Sequence, residues 1–223
     1  MFAKETKRTL VYILVYACDE QLPSVQQTAA IALGRLAGYS TELAEELVTS
    51  DVLFELADSM DGGSKHYQKA GGYVIRMVAK HNEELAQCCV EAGVCNVLAK
   101  CLEENDPGVR EYASNAVGTI ASHSSDLAQA IVECGIVPLL VSCAKEPDNV
   151  LKRACIAALA ELAKHTPELA DAIADSGVLV TIAKDLKNKD AKVRRQSCSC
   201  IAQVSKHNLQ LAELAVESGV FPE

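Results

Sequence analysis

Residues 165–177 read His165-Thr166-Pro167-Glu168-Leu169-Ala170-Asp171-Ala172-Ile173-Ala174-Asp175-Ser176-Gly177. A period of 42 residues carries this stretch through the chain. One period earlier stand His123, Ser124, Leu127, Ala128 and Gly135, and one before that His81, Asn82, Leu85, Ala86 and Gly93. One period later stand His207, Asn208, Leu211, Ala212 and Gly219. A weaker copy holds Tyr39, Ser40, Leu43, Ala44 and Asp51. No gap is needed to align them. Self-similarity at a fixed period of this size is the mark of a solenoid, in which each unit buries its apolar face against the next. Such a stack presents extended binding surfaces, so the pattern points to partner binding rather than to chemistry.

Each period holds three helical patterns. In the unit from Asn82 to His123, residues 83–92 form a short first helix with Asn82 as its N-cap. Ser40, Ser124, Thr166 and Asn208 take the same place in the other copies, and each can accept from the free N–H groups of the first turn. Pro167 suits the first helical position. Gly93, Gly135, Gly177 and Gly219 end this helix with a left-handed residue that turns the chain. A second helix covers about 94–103, with Val94, Val97, Leu98, Cys101 and Leu102 apolar. Asp106-Pro107, Pro147-Asp148 and Asp190 then mark a turn and a cap. The third helix, about 107–122, places Val109, Ala113, Ala116, Val117, Ile120 and Ala121 on one face. Those columns hold Val25, Ala29, Ala32, Leu33, Leu36 and Ala37 in an earlier unit, and Leu151, Cys155, Ala158, Leu159, Leu162 and Ala163 in a later one.

A short helix, a Gly corner, a second helix and a longer third one resemble the armadillo repeat. The expected fold is therefore all-α, a right-handed armadillo solenoid with about 42 residues per three-helix repeat. We expect residues 1–223 to form a single solenoid. Residues 5–38 are a partial repeat, 40–81, 82–123, 124–165 and 166–207 are complete repeats, and 208–223 is a second partial repeat. Both ends carry core-type faces where a solenoid is usually capped by polar units. This predicts a segment of a longer stack, or self-association through the uncapped ends.

Composition limits the alternatives. The 223 residues are 49% hydrophobic and only 4% aromatic, which suits close-packed helices. A net charge of −9 argues against nucleic acid as a partner. The apolar run Thr9 to Cys18 after Lys7-Arg8 has the length of a signal core. It falls in register with the repeat, however, because Leu10, Val11 and Leu14 precede Val52, Leu53 and Leu56 by one period. No run reaches transmembrane length, so no membrane partner is expected. The ten Cys include Cys88-Cys89, Cys95, Cys101 and Cys198-x-Cys200, but no Cys-x-x-Cys pair of a structural zinc site. They read as small buried hydrophobes; Cys155 and Cys200 take columns that hold Ala elsewhere.

His81, His123, His165 and His207 lie one period apart. Stacked helices stand about 8–10 Å apart, too far for ligands that must sit about 2 Å from a metal. We expect each His to bond free carbonyls at the C-terminus of its own third helix, with Lys80, Lys164 and Lys206 beside it. No phosphate loop or nucleophile elbow is present, so no enzyme activity, metal or cofactor is expected.

In an armadillo stack the third helices line a concave groove. Nuclear-import adaptors of this superfamily carry a Trp there, and an Asn four residues later, in repeat after repeat. Here the Trp column reads Ile31, Tyr73, Asn115, Ala157 and Ser199, and the Asn column Arg35, Met77, Thr119, Glu161 and Gln203, so that ladder is absent. Residues 1–111 carry 10 basic and 17 acidic side chains, a net −7; residues 112–223 carry 11 and 13, a net −2. Lys152-Arg153 and Lys192, Arg194 and Arg195 form a basic ridge at the start of third helices, read as a site for an acidic partner such as a tubulin tail, or else as a solvated face. The candidate partner-binding residues are Arg35, Tyr73, Met77, Asn115, Lys152, Arg153, Glu161, Lys192, Arg194, Arg195 and Gln203.

The blocks Gln26-Gln27-Thr28-Ala29-Ala30-Ile31-Ala32-Leu33-Gly34-Arg35-Leu36-Ala37 and Cys101-Leu102-Glu103-Glu104-Asn105-Asp106-Pro107-Gly108-Val109-Arg110-Glu111 go beyond a general armadillo pattern. So do Lys164-His165-Thr166-Pro167-Glu168-Leu169-Ala170 and Asp190-Ala191-Lys192-Val193-Arg194-Arg195-Gln196. They resemble the armadillo proteins of the axonemal central apparatus, the sperm-associated antigen family. The resemblance implies a non-enzymatic scaffold on the central-pair microtubules of cilia and flagella, located in the cytoplasm, the cytoskeleton and the axoneme. Its partners would be central-pair proteins and microtubules. The alternative is a general armadillo adaptor that holds an extended peptide of a soluble client in its groove.

Overall fold

Fourteen helices and one π-helical turn make up the computed structural model, which describes residues 22–50 and 52–220. The apolar run Thr9 to Cys18 lies outside the described residues. The helices are α1 (Pro23–Tyr39), α2 (Thr41–Thr49), α3 (Val52–Met60), α4 (Lys65–Ala79), α5 (Glu83–Glu91), α6 (Val94–Glu103), α7 (Pro107–Ala121) and α8 (Ser125–Glu133). They continue as α9 (Ile136–Ala144), α10 (Asn149–Ala163), α11 (Pro167–Asp175), α12 (Val178–Asp185), α13 (Ala191–Ser205) and α14 (Leu209–Ala215).

Local chemistry explains the boundaries. Each first helix starts where a capping side chain accepts the N–H three residues on. Asn82 takes Leu85 N–H at 2.9 Å, Thr166 takes Leu169 at 3.3 Å and Asn208 takes Leu211 at 2.8 Å. Ser40 and Ser124 do the same for Leu43 and Leu127. Glu42, Glu84, Asp126 and Glu168 stand exposed in the first turns, at the positive end of each helix dipole. Third helices are capped by Ser64, Asp106, Asp148 and Asp190. Gly93 and Gly135 adopt φ of 79° and 72°, and the chain bends there by 75° between α5 and α6 and by 83° between α8 and α9.

The last copy keeps its corner. α14 stops at Ala215, the chain winds on through the turn Val216–Val220, and Gly219 within it takes the expected left-handed conformation, at φ 83°.

The helices stack by kind. The third helices pack in sequence, α1 on α4, α4 on α7, α7 on α10 and α10 on α13. First helices and second helices each form a parallel row of their own. The buried stripe is the repeating one: Val109, Ala113, Ala116, Val117, Ile120 and Ala121 are each at most 1% exposed. Full burial of a side chain such as Ile120 is worth about 2 kcal/mol. Val25 is the exception in its column and stands exposed.

The histidines tie repeats together. His81 Nε2–H donates to the carbonyl of Ala37 at 2.6 Å, and His123 reaches Ala79 at 2.6 Å. His165 reaches Ala121 at 2.7 Å and His207 reaches Ala163 at 2.8 Å. The acceptor lies on the preceding third helix, not on the His residue's own helix as expected. Lys80 and Lys164 act alike, donating to Gly38 and Ser122 carbonyls at 2.6 and 2.8 Å. Lys206 instead donates to Gln203 within its own helix.

Cys89, Cys95, Cys101, Cys143, Cys155 and Cys200 are buried free thiols. Burial pushes Cys95, Cys101 and Cys200 up to about 12, so these sulfurs stay protonated. Cys143 is the exception, held below the usual thiol value by a hydrogen bond with Cys155 and by the Arg110 charge.

Candidate partner-binding groove

The third helices α4, α7, α10 and α13 leave two cavities along their shared face. One, of about 330 Å³, is lined by Arg76, Lys80, Asn115, Thr119, Ala157 and Glu161, among others. The second, of about 360 Å³, is lined by Glu111, Asn115, Arg153, Ala157, Lys192, Arg195 and Gln196, among others. Asn115, Ala154 and Ala157 belong to both, so the cavities form one continuous trough. The trough exists because the columns that face it hold small residues. Gly118 packs so closely on Ala158 that a Cβ there would stand 3.2 Å from the Ala158 Cα.

The structure divides the expected residues into groups. Asn115, Glu161, Arg153, Lys192 and Arg195 line the trough. Arg35 is exposed on α1 and lines neither cavity. Tyr73 and Met77 are half-buried spacers: a Cβ on Gly34 would lie 2.5 Å from the Tyr73 ring, and one on Gly38 3.0 Å from the Met77 sulfur. Gln203 accepts from Lys206 at 2.7 Å.

Lys152 does not stand on the ridge. It is 9% exposed and pairs with Asp185 at 3.0 Å. Arg194 is half-buried and donates to the carbonyls of Asn188 and Lys189. Both belong to one column, whose first three members clamp repeats while Arg194 bonds within its own. Gln68 donates to Glu104 at 3.4 Å, and Arg110 forks onto Glu146 with one arm at 2.8 Å. Lys152 donates to both Asp185 oxygens. Gln68, Arg110, Lys152 and Arg194 are one period apart, a polar column beside a core column, and that was the available signal for it.

A neighbouring column carries the charge of the trough. Lys69, Glu111, Arg153 and Arg195 recur at the period of 42. Lys69 is paired with Asp106 at 2.8 Å, and Glu161 with Lys164 at 2.6 Å. Arg76, Arg153, Lys192 and Arg195 have no ion pair within 4.0 Å among the described residues. Burial and the Asp148 charge lift the Glu111 carboxyl above its usual range, while Arg153, Arg76 and Lys69 pull it down. Among the described residues no group of His, Cys, Asp or Glu is placed to hold a metal.

Residues 124–164 match the Armadillo/beta-catenin-like repeat family. Solved structures agree over nearly the whole chain. An engineered protein superposes with a TM-score of 0.90 at 25% identity, covering 94% of this chain and 85% of that one. A designed armadillo repeat protein in complex with the peptide (KR)4 superposes at 0.88 with 23% identity, covering 94% and 87%. The chain therefore has the armadillo-repeat fold, an all-α solenoid, and one of its repeats matches the family itself. Its sequence is similar to Sperm-associated antigen 6 of Mus musculus and of Homo sapiens, 49% identical to each over 49 residues. That stretch spans 22% of this chain and 10% of either relative.

Proposed function

We propose that this chain is a scaffold of the axonemal central pair, holding central-pair proteins on their microtubules and so supporting central-apparatus stability and motility. The observation that carries the reading is a 49-residue stretch 49% identical to Sperm-associated antigen 6 in two mammals, 10% of either relative's length. The repeat architecture suits such a role, because a solenoid offers a long surface to several partners at once. The experiment is localisation of the tagged chain in its own flagellated cell. Signal along the axoneme that survives detergent extraction with the microtubules is expected. A purely nuclear or wholly extractable distribution would overturn it.

The continuous trough favours a second reading, a general armadillo adaptor for an extended peptide of a soluble client. Capture of one soluble client, lost when Arg153 and Arg195 are both changed to Ala, would support it. Tyr73 and Met77 are poor probes, since their half-buried side chains also fill space between helices.

A further inference from the structure

The charge of the trough is opposite in sign to that of the chain. The protein carries a net −9, yet the side chains reaching the two cavities include Arg76, Lys80, Arg153, Lys192 and Arg195 against Glu111 and Glu161. Glu161 is already committed to Lys164. Lys80 is committed to the Gly38 carbonyl. That leaves Arg76, Lys192, Arg195 and the terminal nitrogens of Arg153, whose Nε–H donates to the Asn149 carbonyl, around one uncommitted carboxylate, Glu111, which burial already disfavours as an anion. Between the charges lies a floor of Ala154 and Ala157, low enough for a backbone to approach. Asn115 stands at the join of the cavities, and its side-chain amide has no hydrogen-bond partner among the described residues. An amide has both a donor and an acceptor to offer to a peptide unit.

We infer that this trough takes an extended acidic segment, its backbone held at Asn115 over the alanine floor and its carboxylates met by Arg76 at one end and by Arg153, Lys192 and Arg195 at the other. The inference rests on the reading of the chain as a partner-binding scaffold and names the chemistry of the partner. The geometry sets the length. Packed helices stand about 8–10 Å apart, so α4 to α13 spans about 30 Å, which about nine extended residues cover. A basic segment, the class bound by the designed relative in complex with (KR)4, would meet the wrong sign here.

The test uses the full chain and a fluorescein-labelled peptide of about nine residues that alternates Glu with Ser, beside its Lys–Ser counterpart. Binding is read by fluorescence polarisation at low and moderate salt. The Glu peptide is expected to bind and to weaken as salt rises. Arg153→Glu with Arg195→Glu should weaken it by about tenfold or more. Glu111→Gln should tighten it several-fold, a gain that damage to the fold would not produce. Lys187→Glu with Lys189→Glu makes the same change in net charge on exposed residues that line neither cavity, and should leave binding unchanged. Circular dichroism checks that every variant is folded. Equal losses in both charge-reversal pairs would reduce the binding to bulk charge and overturn the site. Binding of the Lys peptide in place of the Glu peptide, weakened by Glu111→Gln, would overturn the acidic class while keeping the groove. Binding of neither peptide would overturn the inference, and the flagellar localisation experiment would still decide the scaffold reading.

Discussion

His123 Nε2–H donates to the carbonyl oxygen of Ala79, 2.6 Å away and 44 residues earlier in the chain. Ala79 is the last residue of α4, so the bond closes the C-terminal end of one third helix with a side chain from the end of the next. The same bond recurs at His81, His165 and His207. A repeating side chain here acts as a staple between units. It satisfies a carbonyl that helix geometry leaves open and lies at its negative end.

His123→Ala should therefore lower stability by about 1–2 kcal/mol, the cost of leaving a half-buried carbonyl without its donor. The triple change at His81, His123 and His165 should lose about the sum, since the sites are far enough apart to act independently. Urea midpoints measure both. A triple variant with an unchanged midpoint would show that water replaces the staple without cost.

The Lys152–Asp185 pair gives a larger and more selective effect. Both side chains are largely buried, at 11% and 8% exposure, and the ammonium bonds both carboxylate oxygens. Lys152→Met alone should cost about 3 kcal/mol or more, because it strands a buried carboxylate. Lys152→Met with Asp185→Leu should cost far less than the two single changes combined. Strictly additive losses in that double-mutant cycle would mean the pair is not coupled in solution.

These two relationships mark where reading the chain ends. Caps were legible because Asn82 and the Leu85 N–H it bonds are three residues apart, a spacing any helix start imposes. The Gly corners were legible for the same local reason. The clamps were not, because Gln68 to Glu104, Arg110 to Glu146 and Lys152 to Asp185 span 36, 36 and 33 residues. Lys152 and Arg153 are adjacent in the chain and alike in charge, but successive helix residues point about 100° apart. One is turned into the joint between repeats and the other into the trough. The period marks both columns without saying which faces inward.

Asp106 makes a prediction in pH. A hydrogen bond from Lys69, together with the Val109 and Gly108 N–H groups, holds its carboxyl below the ordinary aspartate value. A folded value below the unfolded one means the stabilisation is full above the unfolded value. It is lost as pH falls through the folded one. Asp106→Asn keeps an N-cap but cannot ionise. Thermal midpoints of the two proteins, compared from neutral pH downward, should differ most at neutral pH and converge in acid. A difference that stays constant with pH would assign the whole effect to cap geometry.

Gly135 isolates the cost of the corner itself. Its φ is 72°, and a Cβ added there would meet nothing within 4 Å. A substitution at this position is opposed by backbone conformation alone. Gly135→Ala should cost about 1–2 kcal/mol, and Gly135→Asn less, because Asn tolerates the left-handed region. Gly135→Val should cost the most, since β-branched residues there are strongly disfavoured. Gly118→Ala is the useful contrast: its backbone is ordinary, but the new Cβ would press on the Ala158 Cα at 3.2 Å. Its cost should arise from separating α7 and α10, and with it the shape of the trough. The groove variant should therefore alter peptide binding as well as stability, while the Gly135 series alters stability alone. Thermal melts and polarisation measurements on the same samples separate the two. Equal costs for Ala, Asn and Val at position 135 would show that the corner relaxes out of the left-handed conformation when substituted.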